Sequence, residues 1–252
     1  MITREGIVEG IHNIIKKQLG ENGFMFDKEN KHNKFIKRYA WGIDYIFLPN
    51  IRFHPEHILF SLTVHRRIDF VEQIWQEWSN LLNINIEDPN DITTLYVTEK
   101  NAYPEIINEK YFDGFGSLIF DISDEGLEVI ETVIDNIFNQ KIAYKLNELR
   151  DLRYIDKLIN SDLDPPQNIN KVLYVDGGLM FKRMIFAKLT GNEIFNSICD
   201  LYKSRFDKII DIAKTPGKEY YYNYPIVFEK VLERLKDIKK LNNTILSDKT
   251  IQ

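Results

Sequence analysis

The stretch HILFSLTVHR, residues 57–66, decides the fold class. Ile58, Phe60, Leu62 and Val64 alternate with Leu59, Ser61, Thr63 and His65. A period of two places one set on a buried face and the other on a half-exposed face, so the stretch predicts a strand. On its N-terminal side, KFIKRYAW (34–41) and IDYIFL (43–48) read as two more strands, and Phe24 and Phe26 start a short extended piece after the breakers Gly20 and Gly23. Earlier still, Ile7, Ile11, Ile14 or Ile15, and Leu19 recur at helical spacing and predict an amphipathic surface helix. On the C-terminal side, Asp69 followed by Glu72 reads as a variant capping box. It opens the helix DFVEQIWQEWSNLL, with Phe70, Ile74, Trp78 and Leu81 along its inward side. A polar loop around Asp88-Pro89-Asn90-Asp91 leads to two further strands, TTLYVT (93–98) and SLIFDI (117–122).

From Ser123 a long helical pattern begins, its apolar stripe marked by Val129, Val133, Ile137 and Ile142, and it continues, with or without a break, through Leu149 and Ile155 to about Asn160. Residues 161–168 then interrupt it, because Pro165 and Pro166 among small polar residues cannot continue a helix. Beyond lie three helical segments, 179–189, 192–213 and 225–241, separated by Gly191 and by Pro216-Gly217, with Pro225 suited to a first helical turn. The tail after Asn242 is expected to fray. The expectation is therefore α+β: an N-terminal helix, an antiparallel sheet of five or six strands with covering helices, then a C-terminal helical bundle. An α+β portion spans 1–160 and a helical domain or subdomain spans 169–242, the two sharing one core or hinging at the boundary near 161–168.

The 252 residues suffice for a sizeable core without disulfides or metals, and 16 Phe, 13 Tyr and 3 Trp argue for a packed interior against disorder. Cys199 is the sole cysteine, so no intramolecular disulfide exists; its place in a helical segment predicts a small buried residue. The first twenty residues interrupt their apolar positions with charges at every turn and do not read as a signal peptide. No run approaches eighteen apolar residues, so no membrane span and no membrane partner is expected, and the cytoplasm is the expected compartment.

Charge is unevenly spread. Residues 69–148 carry a balance of −13, whereas 1–68 and 149–252 each carry +4, giving −5 in all. The acidic middle is either plain solvation of two helices or a docking face for a basic protein, since a one-signed surface steers association. Phosphates would be repelled there, so no nucleic-acid partner is expected. The candidate binding residues are Glu72, Glu77, Asp124, Glu125, Glu128 and Glu131, expected on the outward sides of their helices. Tyr220, Tyr221 and Tyr222, the densest aromatic run, either pack onto their own domain or form a recognition surface, for which tyrosine's apolar ring and polar tip suit them.

Catalytic patterns are scarce. His54 and His57 bracket Pro55-Glu56, but a shared metal site with His65 is excluded if 57–66 is extended, because eight residues span roughly 26 Å. Gly114-Phe115-Gly116 precedes a strand rather than a helix, and Gly177-Gly178 precedes a helix but lacks a third glycine, so neither is a phosphate loop. Glu128 with Glu131, and Glu131 with Asp135, share a helix face at spacings a carboxylate-dependent, metal-assisted hydrolase would use, yet solvated surface charge has the same pattern. No cofactor, metal site or catalytic residue is assigned.

The order of the amphipathic helix, GFMFDKENKHNKFIKRYAWGIDYIFLP, a strand, and a helix bearing Trp75 and Trp78 resembles small bacterial proteins grouped as a domain of unknown function. The resemblance rests on Gly23-Phe24 and the aromatic pattern and covers residues 1–82. It implies a helix ending at Gly-Phe before aromatic-rich antiparallel strands, and a role as an immunity protein that binds and blocks a toxin; it carries over no functional residue. Two functions thus stand side by side: non-enzymatic, immunity-like protein binding, and a carboxylate-dependent hydrolase.

Overall fold

The computed structural model of the chain describes residues 3–28, 33–84, 92–98, 102, 110–113, 117–121, 124–163, 173 and 178–250. The fold is α+β. Helix α1 (Arg4–Glu21) is capped by the Thr3 hydroxyl, which accepts the Gly6 N–H, and it buries Ile7, Ile11, Ile15 and Leu19, the spacing its sequence predicts. Its end at Gly23, with φ +78°, turns the chain into the sheet.

A five-stranded antiparallel sheet follows, in the order β1 (Met25–Phe26), β2 (Lys34–Tyr39), β3 (Gly42–Phe47), β6 (Thr63–Ile68), β7 (Leu95–Thr98). A separate three-stranded antiparallel sheet has the order β4 (Arg52–His54), β5 (His57–Phe60), β8 (Leu118–Asp121). The stretch 57–66 is therefore not one strand. It breaks at Ser61-Leu62 and passes from the small sheet to the large one. Ile58, Phe60, Leu62 and Val64 nevertheless stay buried throughout, so the inward alternation survives the change of sheet. At the β2–β3 turn Gly42 is required: a Cβ there would lie 2.0 Å from the Arg67 carbonyl oxygen of the neighbouring strand.

Helix α2 (Asp69–Trp75) tightens into a 3-10 helix over Gln76–Leu82. The tightening shifts the phase of the buried side. Val71, Ile74, Trp75 and Leu82 are buried, whereas Leu81, expected inward, is 41% exposed. The expected capping box is also absent: Ile68 is the N-cap without a side-chain bond, Asp69 accepts from Arg67 Nε at 2.6 Å, and Glu72 turns inward. Helix α3 (Asp124–Asn136) runs through a π-helical turn, Ile137–Ile142, into α4 (Ala143–Glu148). Ile137 and Ile142 of the expected stripe are buried, but upstream the buried side runs through Ile130 and Ile134 rather than Val129 and Val133, and Val129 is exposed. Helix α5 (Leu152–Asn160) starts at Asp151, whose carboxylate accepts the Arg153 N–H.

The C-terminal helices are α6 (Leu179–Thr190), α7 (Phe195–Lys203), α8 (Phe206–Ala213) and α9 (Tyr224–Lys236), the last preceded by a 3-10 helix over Glu219–Asn223. Phe181, Met184, Ile185, Phe186 and Ala187 of α6 are fully buried, because the helix is packed on nearly all sides. The polar side chains it carries inward are bonded: Arg183 donates to Asn160 Oδ1 at 2.9 Å and to the Tyr202 hydroxyl at 3.1 Å, tying α6 to α5 and α7. One hydrophobic cluster includes buried residues from α1, both sheets, α2 through α7 and α9, with Phe206 of α8 packed against it. Most of the 161–168 boundary lies outside the described residues. The tail does not fray: Leu246 is buried, and Arg150 Nε donates to its carbonyl at 2.8 Å.

Candidate functional site

The 3-10 helix after α2 and the 3-10 helix before α9 come together at the surface, and the sequence explains both. Trp75 is anchored in the core and pins the first; Pro225 in the opening turn of α9 ends the second. Asn223 Nδ2 donates to the Leu81 carbonyl at 2.7 Å, fastening the tyrosine run beside Leu81. Arg234 Nη1 donates to Glu77 Oε2 at 2.8 Å and to the Gln73 carbonyl at 3.0 Å, and the Arg234 and Lys230 cations lie 5.6 and 5.7 Å from the Trp78 ring centre. Exposed on these two joined segments are Leu81, Tyr222 (45% exposed) and Ile226 (51% exposed), with Tyr220 and Tyr221 half-buried. Glu77 and Glu219 contribute carboxylates on the same two segments. Acceptance of the N–H groups of its own backbone and of Gly217 holds the Glu219 carboxyl below its ordinary value.

The tyrosines divide between packing and exposure. Tyr220 and Tyr221 lie 4.6 Å apart, Tyr221 stacks on Tyr224 at 5.3 Å, Tyr224 on Phe181 at 6.4 Å and Phe181 on Trp75 at 6.1 Å. This ladder roots the run in the core while Tyr222 points to solvent, so the exposed ring stands on a rigid support. Rigid aromatic anchors lose little entropy on binding.

Of the acidic candidates, Glu72 is a correction. It is fully buried, accepting from Thr94 Oγ1 at 2.6 Å and Trp75 Nε1 at 3.0 Å, with Lys182 Nζ 3.6 Å away. An uncompensated carboxylate in that interior would be costly, and the lysine and donors around it make it a cross-link between α2, β7's approach and α6. It belongs to no surface. Glu77 is exposed and paired with Arg234. Glu131 pairs with Lys17 of α1 at 2.8 Å, and Glu128 is exposed. Asp124 and Glu125 lie in α3, and their side chains are outside the described residues. Glu77 thus sits against α9 and Glu131 against α1, so each acidic helix has its own basic neighbour. The structure brings Glu77 together with Tyr220, Tyr221 and Tyr222, and sends Glu131 elsewhere.

Chemistry-bearing residues elsewhere are engaged in structure. His54 and His57 face each other across the two-residue β4–β5 turn, and His57 Nδ1 lies 3.0 Å from Asp121 Oδ1 on the exposed side of the small sheet. His65 is in the other sheet, stacked on Tyr45 at 4.9 Å, with its Nδ1 3.1 Å from the Thr93 hydroxyl. That hydroxyl also bonds Tyr45 at 2.6 Å, a hydrogen-bonded trio no motif announced, and at 3% exposure Thr93 is closed to a substrate. Among the described residues no group of three or more His, Cys, Asp or Glu is placed to hold a metal ion, and no helix is long and apolar enough to cross a membrane. Cys199 is buried; burial, then the neighbouring Asp200, pushes its thiol up to about 11, which leaves it a poor nucleophile. Gly114 and Gly116 lie outside the described residues; Gly178 opens α6, where it makes room for Trp75 rather than for a phosphate. Leu81 and Ile226 were missed: Leu81 was assigned to an inward stripe, and Ile226 read as one more helical apolar position. Comparison with protein-family models, with curated proteins and with solved structures gave no match.

Proposed function

We propose that this chain is a non-enzymatic protein-binding protein, immunity-like in that it occupies and blocks its target, and that it meets this target through Leu81, Tyr222 and Ile226. The observation that carries the reading is the exposure of these three large apolar side chains on two segments that the Asn223–Leu81 bond fastens together. Contiguous exposed apolar surface with a polar margin is characteristic of protein interaction sites, whereas a single exposed leucine is not. The target is a basic protein: the balance of −13 across residues 69–148 favours a cationic partner and disfavours nucleic acid. The setting is the cytoplasm, where a chain with one buried cysteine needs no oxidising conditions.

The test is capture by the tagged chain from its native host, run in parallel with the Tyr222→Ser/Ile226→Ser variant. A basic protein retained by the unmodified chain and lost with the variant, and whose toxicity is relieved by co-expression of the unmodified chain, is the expected result. Identical capture by both, or no specific protein under conditions that preserve weak complexes, overturns the proposal.

A further inference from the structure

The last residues of the chain are held as a bound peptide would be. After α9, the Leu241 N–H donates to the Leu189 carbonyl at 2.9 Å, and Asn242 and Asn243 are exposed. From Thr244 the chain is extended along the α4–α5 corner and towards the β2–β3 turn. The Leu152 N–H donates to the Thr244 carbonyl at 2.9 Å, the Leu246 N–H to the Arg150 carbonyl at 2.9 Å, and Ile245 pairs antiparallel with Asp151. Two side chains add donors aimed at tail carbonyls: Arg150 Nε to Leu246 at 2.8 Å and Trp41 Nε1 to Ser247 at 2.6 Å. Thr250 completes the contact by pairing with Tyr39.

The tail itself supplies only two buried side chains at alternate positions. Thr244 is 6% exposed and donates its hydroxyl to Asp151 Oδ1 at 3.1 Å; Leu246 is 7% exposed; Ile245 between them is 61% exposed. Recognition through the main chain, with specificity from every second side chain, is the logic of strand addition. The root at Leu241 is fixed and the two exposed asparagines follow it, so the segment can leave without disturbing α9.

We propose that residues 244–250 occupy in cis a peptide-docking groove formed by Trp41, Arg150, Asp151 and Leu152, and that this groove takes, in exchange, an extended segment of a partner protein with a hydroxyl residue and a leucine two positions apart. The tail then acts as an internal competitor. A short tether gives it an effective concentration on the order of millimolar, so a free segment at micromolar concentration competes poorly until the tail is released. This groove is separate from the Leu81–Tyr222–Ile226 face, and either can fail without the other.

The test uses a fluorescent peptide of residues 242–250 as the probe and the full chain as the receptor. With Thr244→Ala and Leu246→Asp in the tail, the probe is expected to bind at least tenfold more tightly than to the unmodified chain, and a further Arg150→Ala is expected to remove that binding. Equal binding to both, or binding indifferent to Arg150→Ala, overturns the proposal. Should the tail variant lose its fold by circular dichroism, amide exchange of the unmodified chain decides. The Leu246 amide is expected to exchange at least tenfold faster than those of Ile46 and Val64, and equal exchange means the tail leaves only on global unfolding, which overturns it. A concentration-dependent dimer of the unmodified chain that Leu246→Asp abolishes assigns the groove to a second copy's tail and likewise overturns the partner reading.

Discussion

Asp44 and Arg66 are cross-strand neighbours on β3 and β6, both 1% exposed, and they offer the sharpest test of how the sheet is held. Arg66 donates Nε and Nη2 to the two Asp44 oxygens at 2.7 and 2.8 Å and Nη1 to the Leu146 carbonyl at 2.7 Å, and its guanidinium lies 5.1 Å from the Trp41 ring centre. Burial opposes the Arg66 charge, but Asp44 more than offsets it, so its pKa is raised and the pair stays ionic. Asp44→Leu leaves the guanidinium in the interior without its counter-charge, and Arg66→Met does the same to the carboxylate. Each is expected to cost about 3–5 kcal/mol. At about 2–4 °C per kcal/mol for a chain of this size, that is a fall of roughly 6–20 °C in Tm. The double variant removes both charges. Its remaining penalties are the Leu146 carbonyl deprived of a donor, about 1–3 kcal/mol, and the half-buried Tyr39 hydroxyl deprived of its Asp44 acceptor, both offset by the apolar replacement. It is therefore expected to be more stable than either single variant, with a coupling of at least about 2 kcal/mol. Urea unfolding followed by circular dichroism and tryptophan emission gives all four stabilities. Losses that add, or an Asp44→Leu cost under about 1 kcal/mol, would refute the reasoning.

Gly178→Ala places a Cβ 2.4 Å from the ring of Trp75, which is itself fully buried, and is expected to destabilise the chain by roughly 1–3 kcal/mol in the same unfolding assay. The Cys199 thiol, raised from 9 to about 11, should carry about 100-fold less thiolate at pH 8 than an ordinary cysteine, so iodoacetamide should label the folded chain at least that much more slowly than the urea-unfolded chain. Because its folded pKa lies above the unfolded one, its contribution to stability is complete below pH 9 and lost between 9 and about 11; Cys199→Ala should flatten the fall of the urea midpoint over that window. Tyr222→Ser and Ile226→Ser alter exposed side chains and should each change stability by less than about 0.5 kcal/mol, measured by the same midpoint.

The α1 spacing was legible because that helix buries one face, and the strands at 34–39, 42–47 and 63–68 were legible from their β-branched and aromatic residues, although β3 is buried at consecutive positions. The passage of 57–66 between sheets was not, since Ile58 to Val64 face inward on both sides of the break and the alternation carries no trace of the partner strand. Local winding hid part of the rest. The 3-10 turn after Trp75 shifts the phase that a 3.6-residue reading assumes, which reversed Leu81, and in the regular helix before the π-helical turn the buried side runs one position on from Val129, through Ile130 and Ile134. Glu72 was misread for a related reason: its inward turn depends on Thr94 and Lys182, residues 22 and 110 positions away, and nothing local records them. Of the candidate surface, the tyrosine run and Glu77 were visible as composition and charge, but their meeting depends on the Asn223–Leu81 and Arg234–Glu77 bonds between segments far apart in sequence.

The most direct measurement of the central claim is a calorimetric titration of the captured partner against the unmodified chain, Tyr222→Ser, Ile226→Ser and, as a control on an unrelated exposed aromatic, Tyr144→Ser. A loss of about 2 kcal/mol, roughly 30-fold in Kd, at Tyr222 or Ile226 with no change at Tyr144 is predicted. Equal affinities for all four chains would contradict it.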